Sequence, residues 1–333
     1  MIHLGVIGYG YWGPQIARNF HGLKDCELSV ICDKSAESLR RAKQAYPAAC
    51  VTDDAQEVVC SPHIDAVAVI TPVWTHFALA KAALQNGKHV FVEKPFTSTV
   101  AEAEELIDLA ARKQLQIMVD HTFLFTGAVK KIRELIDAGT LGRLYYYDST
   151  RVNLGLFQHD VNVLWDLAPH DLSIMDHLIS ARPEVVVATG QKHLNGHEDI
   201  AYLTIYFEDS VIAHISVNWL SPVKVRTTLL GGEKKMVVWN DLAADEKVKV
   251  YDKGVDITSG PGVYDLLVSY RSGDMWAPKI DQMEALSSEA RYFIDCIDKQ
   301  KTPFNDGASG LRVVRLLEAA GRSLEGPGRA ISV

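Results

Sequence analysis

The chain lacks any apolar stretch approaching the ~18 residues needed to cross a bilayer, and it has no lysine- or arginine-rich cluster. A membrane span is therefore not expected. A surface for nucleic acid or anionic lipid is not expected either, which agrees with a net charge of −8. The five cysteines (Cys26, Cys32, Cys50, Cys60, Cys296) are odd in number and form no CxxC pair. That argues against a disulfide framework or a cysteine–zinc site. Reduced thiols in a cytoplasmic protein are the expectation, since the first residues run into a strand rather than a basic-then-apolar leader. Internal repeats, low-complexity tracts and long linkers are also missing. What is present is the composition of an ordinary globular protein, and 333 residues predict two domains.

The first ~120 residues alternate strand and helix patterns at βαβ spacing. Strands are predicted over His3–Ile7, Glu27–Cys32, Ala49–Val51, Ala66–Ile70, Lys88–Val92 and Gln116–Val119, with helices over Pro14–Gly22, Ala36–Tyr46, His76–Asn86 and Thr99–Lys113. The near-continuous apolar run Ala66–Ile70 suits a parallel sheet covered on both faces. The pattern predicts an α/β, doubly wound Rossmann-type domain over 1–121. Residues 122–333 read as a second, α+β domain. It opens with an amphipathic helix over Gly127–Ala138, stopped by Gly139, and a second helix over Trp165–Ile179. Strands follow over Val185–His193, Ile200–Phe207, Val211–Trp219, Val225–Leu230, Lys235–Trp239, Val248–Tyr251 and Leu266–Tyr270. Two helices, about Ala285–Lys299 and Ser309–Leu324, close the chain.

Gly8-Tyr9-Gly10-Tyr11-Trp12-Gly13 follows the first strand and opens a helix. GxGxxG alone is weak, because glycines cluster in ordinary turns, but its context here is that of a dinucleotide site. The first glycine permits the tight turn, the second admits a pyrophosphate, and the third lets helix pack on strand. The helix amino end offers free N–H groups to the phosphates. Asp33 ends the second strand, 20 residues after Gly13, where a carboxylate binds ribose hydroxyls and repels a 2′-phosphate. NAD is thus favoured, with NADP left open because Lys34 could reach such a phosphate. Thr71-Pro72 closes the fourth strand at the same sheet edge, where it can touch the cofactor. His76 either joins it or caps the next helix.

Glu93-Lys94-Pro95 ends the fifth strand. Proline holds Lys94 extended in front of an X-Pro bond that can be cis, at the strand end where ligands bind in parallel sheets. The ordinary reading is a surface lysine on a loop; the chemical one is an ammonium that polarises a hydroxyl. Asp166 and His170, spaced i and i+4, share a helix face. Pro169 fits a first turn, which puts the pair near a helix start. A histidine with a carboxylate suits acid–base work on an alcohol, and a capped turn is the structural alternative. A metal set of His159, Asp160, His170 and Asp171 has no recognised ligand spacing, and no metal is expected.

In this order, GxGxxG, Asp33, Thr71-Pro72, Glu93-Lys94-Pro95 and Asp166-x3-His170 resemble the Gfo/Idh/MocA family of glucose–fructose oxidoreductase and inositol dehydrogenase. The resemblance spans nearly the whole chain. It implies a Rossmann domain followed by a large, mostly antiparallel, open-faced sheet that mediates oligomerisation, giving a homodimer or homotetramer. It also implies hydride transfer between NAD(P) and a sugar or cyclitol carbon. Glu93 and Lys94 would lie at the cofactor, with Lys94 also on the reacting hydroxyl. His170 would serve acid–base catalysis and Asp166 would support it. The stretches 148–156 and Val217–Pro222 are similar to nucleotide-sugar oxidoreductases of surface-polysaccharide pathways, such as UDP-N-acetylglucosaminuronate 3-dehydrogenases. On that basis Arg151, Asn153, Trp165 and Asn218 are expected substrate contacts beside Lys94 and His170. Where many members carry Asn-x-Arg and an aromatic, this chain has Thr122-Phe123-Leu124-Phe125. Two other classes stay open: a glycosidase that uses NAD transiently, and a non-catalytic dinucleotide sensor. Lys94 and His170 together count against the sensor.

Overall fold

The computed structural model describes all residues except 156, 157, 159, 195, 259–266 and 327. In chain order the first elements are β1 (Ile2–Ile7), α1 (Gly13–His21), β2 (Cys26–Cys32), α2 (Ala36–Ala45), β3 (Cys50–Thr52) and α3 (Ala55–Val59). Next come β4 (Ala66–Val69), α4 (Val73–Gln85), β5 (His89–Glu93), α5 (Val100–Lys113) and β6 (Ile117–Asp120). A 3-10 turn at Thr122–Phe125 leads to α6 (Gly127–Asp137), β7 (Leu144–Leu154) and α7 (Val163–Leu178). The strands β8 (Pro183–Gln191), β9 (Ile200–Phe207), β10 (Ile212–Asn218), β11 (Leu220–Gly232), β12 (Met236–Asn240), β13 (Val248–Thr258) and β14 (Leu267–Trp276) follow. The chain closes with α8 (Ala285–Asp298), α9 (Gly307–Leu324) and β15 (Ile331–Ser332).

Two compact units result, Met1–Phe125 with Met283–Glu318, and Thr126–Gln282 with Ala319–Val333. The return of residues 283–318 to the first unit is not part of the two-block division expected at 121. Its cause is apolar. The face of α8 that carries Phe293 meets Phe20 and Phe91, with ring centroids 6.1 and 5.7 Å away at near edge-on angles. All three rings are fully buried, and burying each is worth roughly 2–3 kcal/mol.

In the first unit the strand order is β3-β2-β1-β4-β5-β6, and every described pair is parallel. The order reverses between β1 and β4, and the carboxyl ends beside such a reversal form the ligand crevice of doubly wound sheets. Local chemistry fixes the helix starts. Thr99 and Glu102 form a capping box on α5, and Ser35 and Asp54 cap α2 and α3.

The second unit holds a nine-stranded sheet in the order β14-β13-β12-β11-β7-β10-β9-β8-β15. The β7–β10 pair is parallel and the other described pairs are antiparallel. One sheet face is covered and the other is open. Along β7, Tyr147, Ser149 and Arg151 are buried while Tyr146, Asp148 and Thr150 are half-exposed. Tyr202, Tyr206 and Ile212 are exposed on β9 and β10. The central strand β7 is not among the predicted strands, because its buried face carries Ser149 and Arg151 and breaks the apolar alternation. Gly139 takes the left-handed conformation (φ +65°) just past α6, as a helix stop requires.

Candidate active site

The glycine turn after β1 is built by steric exclusion. Gly8 has φ +101°, and a Cβ there would stand 2.1 Å from the Ile70 carbonyl oxygen. A Cβ on Gly13 would stand 2.3 Å from the Gly8 oxygen. At Gly10 a Cβ would meet nothing within 4 Å, which is open space facing the helix start. No side chain caps the amino end of α1, and its first turn carries no acid. An uncapped, glycine-bounded helix start of this kind fits a dinucleotide pyrophosphate. Tyr9 is buried, whereas Tyr11 and Trp12 stand exposed at the turn.

Asp33 locks this turn to the end of β2, one oxygen accepting from the Tyr9 N–H at 2.6 Å and the other from the Ser35 N–H at 2.7 Å. The carboxylate is thereby fixed beside the turn, where a ribose would lie. Lys34 points elsewhere, its Nζ donating to the Asp53 carbonyl at 2.8 Å.

Thr71 and Pro72 join β4 to α4. The Thr75 hydroxyl donates to Thr71 Oγ1 at 2.6 Å, and Pro72 occupies the cap position of α4. His76 is fully buried and does not cap α4, whose amino end has no side-chain cap. Its ring nitrogens lie 2.7 Å from the Thr71 carbonyl and 2.9 Å from the Pro95 carbonyl, linking the ends of β4 and β5. Only an imidazolium could donate to both oxygens. Burial outweighs those carbonyls, and together with the Lys94 charge it holds the ring below its ordinary range.

Lys94 follows β5 directly, is half-buried and precedes a cis bond to Pro95. Glu93 is in register with Asp120 of β6, so Lys94 and His121 stand one residue beyond a paired position. Behind them lies a carboxyl cluster that sequence reasoning did not find. Glu289 on α8 is fully buried and accepts from the His121 N–H and the Asn305 side chain, both at 3.1 Å. Burial and the Asp120 carboxylate push the Glu289 carboxyl well above its usual range. A side chain of this charge gives no sequence signal that it will be buried. Thr122 completes the group by donating its hydroxyl to Asp120.

In the second unit, α7 starts at Val163 with Asn162 as its cap, Oδ1 accepting from the Trp165 N–H at 3.2 Å. This corrects the expectation that Pro169 marks the first turn. Pro169 lies inside the helix and cannot donate to the Trp165 carbonyl. Asp166, rather than Pro169, belongs to the first turn, and Asp166 and His170 are both half-buried on one face. Asp166 accepts the indole N–H of Trp219 at 3.0 Å. Trp219 was missed as a site residue, although an aromatic N–H donor just past a strand was visible. Asn153 and Trp165 are half-buried, and Asn218 Oδ1 accepts from the Leu220 N–H at 2.5 Å.

Arg151 is placed differently from expectation. It is 4% exposed, with Nε 2.5 Å and Nη2 3.3 Å from the Asp171 carboxylate, which also accepts from Ser149 at 2.7 Å. A guanidinium paired in this way braces β7 against α7 and is not presented to a substrate. Asp171 is thus an ion-pair partner rather than a metal ligand beside His170, and His159 of that set lies outside the described residues.

Comparison with known proteins agrees with this architecture. Residues 2–121 match the oxidoreductase family model with the NAD-binding Rossmann fold, and residues 129–238 match the GFO/IDH/MocA C-terminal domain. The UDP-N-acetylglucosamine 3-dehydrogenase of Acidithiobacillus ferrooxidans is 29% identical over 325 residues, covering 94% of this chain and 95% of that protein. The myo-inositol 2-dehydrogenase of Thermotoga maritima is 24% identical over 97% of this chain and 96% of its own length. A solved structure of the Acidithiobacillus ferrooxidans enzyme superposes with a TM-score of 0.80 at 25% identity, covering 98% and 99% of the two chains. Matched in both its domains, the chain belongs to the Gfo/Idh/MocA family of NAD-binding oxidoreductases.

Proposed function

We propose that the protein oxidises or reduces a ring carbon of a nucleotide-linked amino sugar, a UDP-N-acetylhexosamine or its uronate, with NAD as the cofactor. One observation carries the substrate class: similarity to a UDP-N-acetylglucosamine 3-dehydrogenase extends over 94% of this chain and 95% of that one. The first unit serves the dinucleotide, through Gly8–Gly13, Asp33, Thr71-Pro72, Glu93 and Lys94. The second serves the sugar and self-association. Bound NAD supplies the hydride acceptor.

The chain's own residues handle the proton and the charge. In oxidation the hydroxyl gives up its proton as hydride leaves the carbon, and the Lys94 ammonium stabilises the alkoxide charge that develops on the oxygen. His170 takes the hydroxyl proton and returns it in the reverse direction, with Asp166 supporting the imidazole. Trp219 holds Asp166 through its indole N–H. Asn153, Trp165 and Asn218 contact the sugar; Arg151 has no part in this reading because its guanidinium is committed to Asp171.

The open sheet face bearing Tyr202, Tyr206 and Ile212 supports a homodimer or homotetramer. A cytoplasmic enzyme of surface-polysaccharide synthesis is consistent with the five free cysteines.

A panel of UDP- and dTDP-sugars, free sugars and inositol tests the reading by absorbance at the nicotinamide band. A UDP-N-acetylhexosamine or its uronate should be oxidised with the highest kcat/KM. Preference for inositol or a free sugar would overturn the substrate class.

A further inference from the structure

His121 is 1% exposed, and neither of its ring nitrogens has a hydrogen-bond partner among the described residues. A buried, unsatisfied imidazole calls for an explanation. One observation places it at the lysine and two more fix its mount. Glu93 and Asp120 are paired in the parallel β5–β6 register, so the next residues, Lys94 and His121, leave the sheet side by side. The main chain of His121 is pinned from behind, its N–H donating to Glu289 Oε1 at 3.1 Å. Asn305 ties Glu289 to the end of β6, its side-chain N–H groups reaching Glu289 Oε1 at 3.1 Å and the Val119 carbonyl at 2.8 Å. The imidazole is therefore held on a rigid mount.

We propose that His121 is a positioning residue for Lys94: its buried imidazole accepts one N–H of the Lys94 ammonium when that group is set on the reacting hydroxyl. This rests on Lys94 acting at the hydroxyl. An ammonium has three donors, and a fixed acceptor behind it directs the remaining N–H groups forward. The environment keeps the ring able to accept. Burial first, then the charges of Lys94 and of Arg312 on α9, hold His121 down to about 3. The other ionisable groups packed around this point are His76 on α4, Glu93 on β5, Asp120 on β6 and Glu289 on α8. His76 has both of its ring nitrogens against the Thr71 and Pro95 carbonyls. That leaves His121 as the imidazole with acceptor capacity to spare.

The test compares wild type, His121→Ala, His121→Gln and Lys94→Met as full chains loaded with NAD. Trace acetylation with acetic anhydride, read at Lys94 by peptide mass spectrometry across pH, reports how strongly the ammonium is held and needs no substrate. In His121→Ala the pH of half-reaction at Lys94 should fall by about one unit, since removing an acceptor disfavours the charged form. His121→Gln, which keeps an acceptor, should restore it. With the best substrate of the panel, His121→Ala should lose roughly tenfold or more in kcat with KM within about twofold. An unchanged half-reaction pH in His121→Ala, with or without loss of rate, overturns the inference. If His121→Ala does not fold, an unchanged half-reaction pH in His121→Leu does the same. Lys94→Met separates the two levels: full turnover in that variant removes Lys94 from the chemistry, whereas its inactivity beside a normal His121→Ala removes only His121.

Discussion

Trp219 donates its indole N–H to Asp166 at 3.0 Å, and its own main-chain N–H donates to the Asp199 carbonyl at 2.9 Å. The carboxylate in the first turn of α7 is therefore anchored to the end of β10, not left to rotate in solvent. Trp219→Phe keeps an aromatic ring in a smaller side chain and removes one hydrogen bond to a charged acceptor, worth about 1.5–3 kcal/mol. Steady-state kinetics should show kcat down about tenfold or more, with NAD affinity unchanged. A normal kcat would mean that Asp166 needs no anchor.

Lys94→Met and His170→Asn should each bind NAD like wild type, by fluorescence titration, and lose about 10²–10⁴ in turnover. Turnover close to normal in either variant would take that side chain out of the chemistry.

Asp33 predicts cofactor choice. Its carboxylate is held on the Tyr9 and Ser35 N–H groups, and Lys34 is tied to Asp53. Isothermal titration should give tighter binding of NAD than of NADP. Asp33→Ser should narrow the gap by relieving repulsion of the 2′-phosphate. Tighter NADP binding by wild type would contradict the reading.

Arg151→Met strands the Asp171 carboxylate in the protein interior. Breaking a buried pair in this way costs about 3–5 kcal/mol, so thermal unfolding should move down by many degrees. KM for the sugar in the folded fraction should hardly change. The opposite pattern, normal stability with a raised KM, would restore Arg151 as a substrate contact.

His121 makes stability depend on acid. Its folded value of about 3 lies below the ordinary 6.5, so between these values the unfolded chain binds a proton that the folded chain refuses. Stability is complete above about pH 6.5 and is lost as pH falls toward 3, at about 1.4 kcal/mol per pH unit from this group. Urea unfolding at pH 7.5, 6 and 5 should show a shallower decline in His121→Gln. Parallel declines would show that other groups set the acid limit.

The first unit was legible because its signals are local. Five of its six strands are short apolar runs, and the glycines of its turn are imposed by contacts that any side chain would violate. Asp33, Thr71-Pro72 and Lys94 lie at strand ends, so the periodicity that locates the strands also locates them. The remainder depends on partners far away in sequence. Ser149 and Arg151 interrupt the apolar alternation of β7, and their buried partner, Asp171, lies on a separate helix. Pro169 suggested a helix start, while Asn162 had already begun the helix seven residues earlier. Glu289 becomes a buried carboxyl only when α8 is laid against the end of β6, over a separation of 168 residues from His121.

The return of residues 283–318 to the first unit also governs how the protein can be made. Phe293 completes the aromatic cluster around Phe20 and Phe91, and Asn305 and Glu289 hold the end of β6. All six strands of the Rossmann sheet are made early, but the ribosome makes nearly the whole chain before the helices that complete its covering. Until then the apolar surface that Phe293 covers, around Phe20 and Phe91, has no partner from α8. A gene fragment ending at residue 125 would yield a sheet with a bare apolar flank, prone to aggregation. A minimal nucleotide-binding module from this protein needs residues 283–318 grafted back onto it.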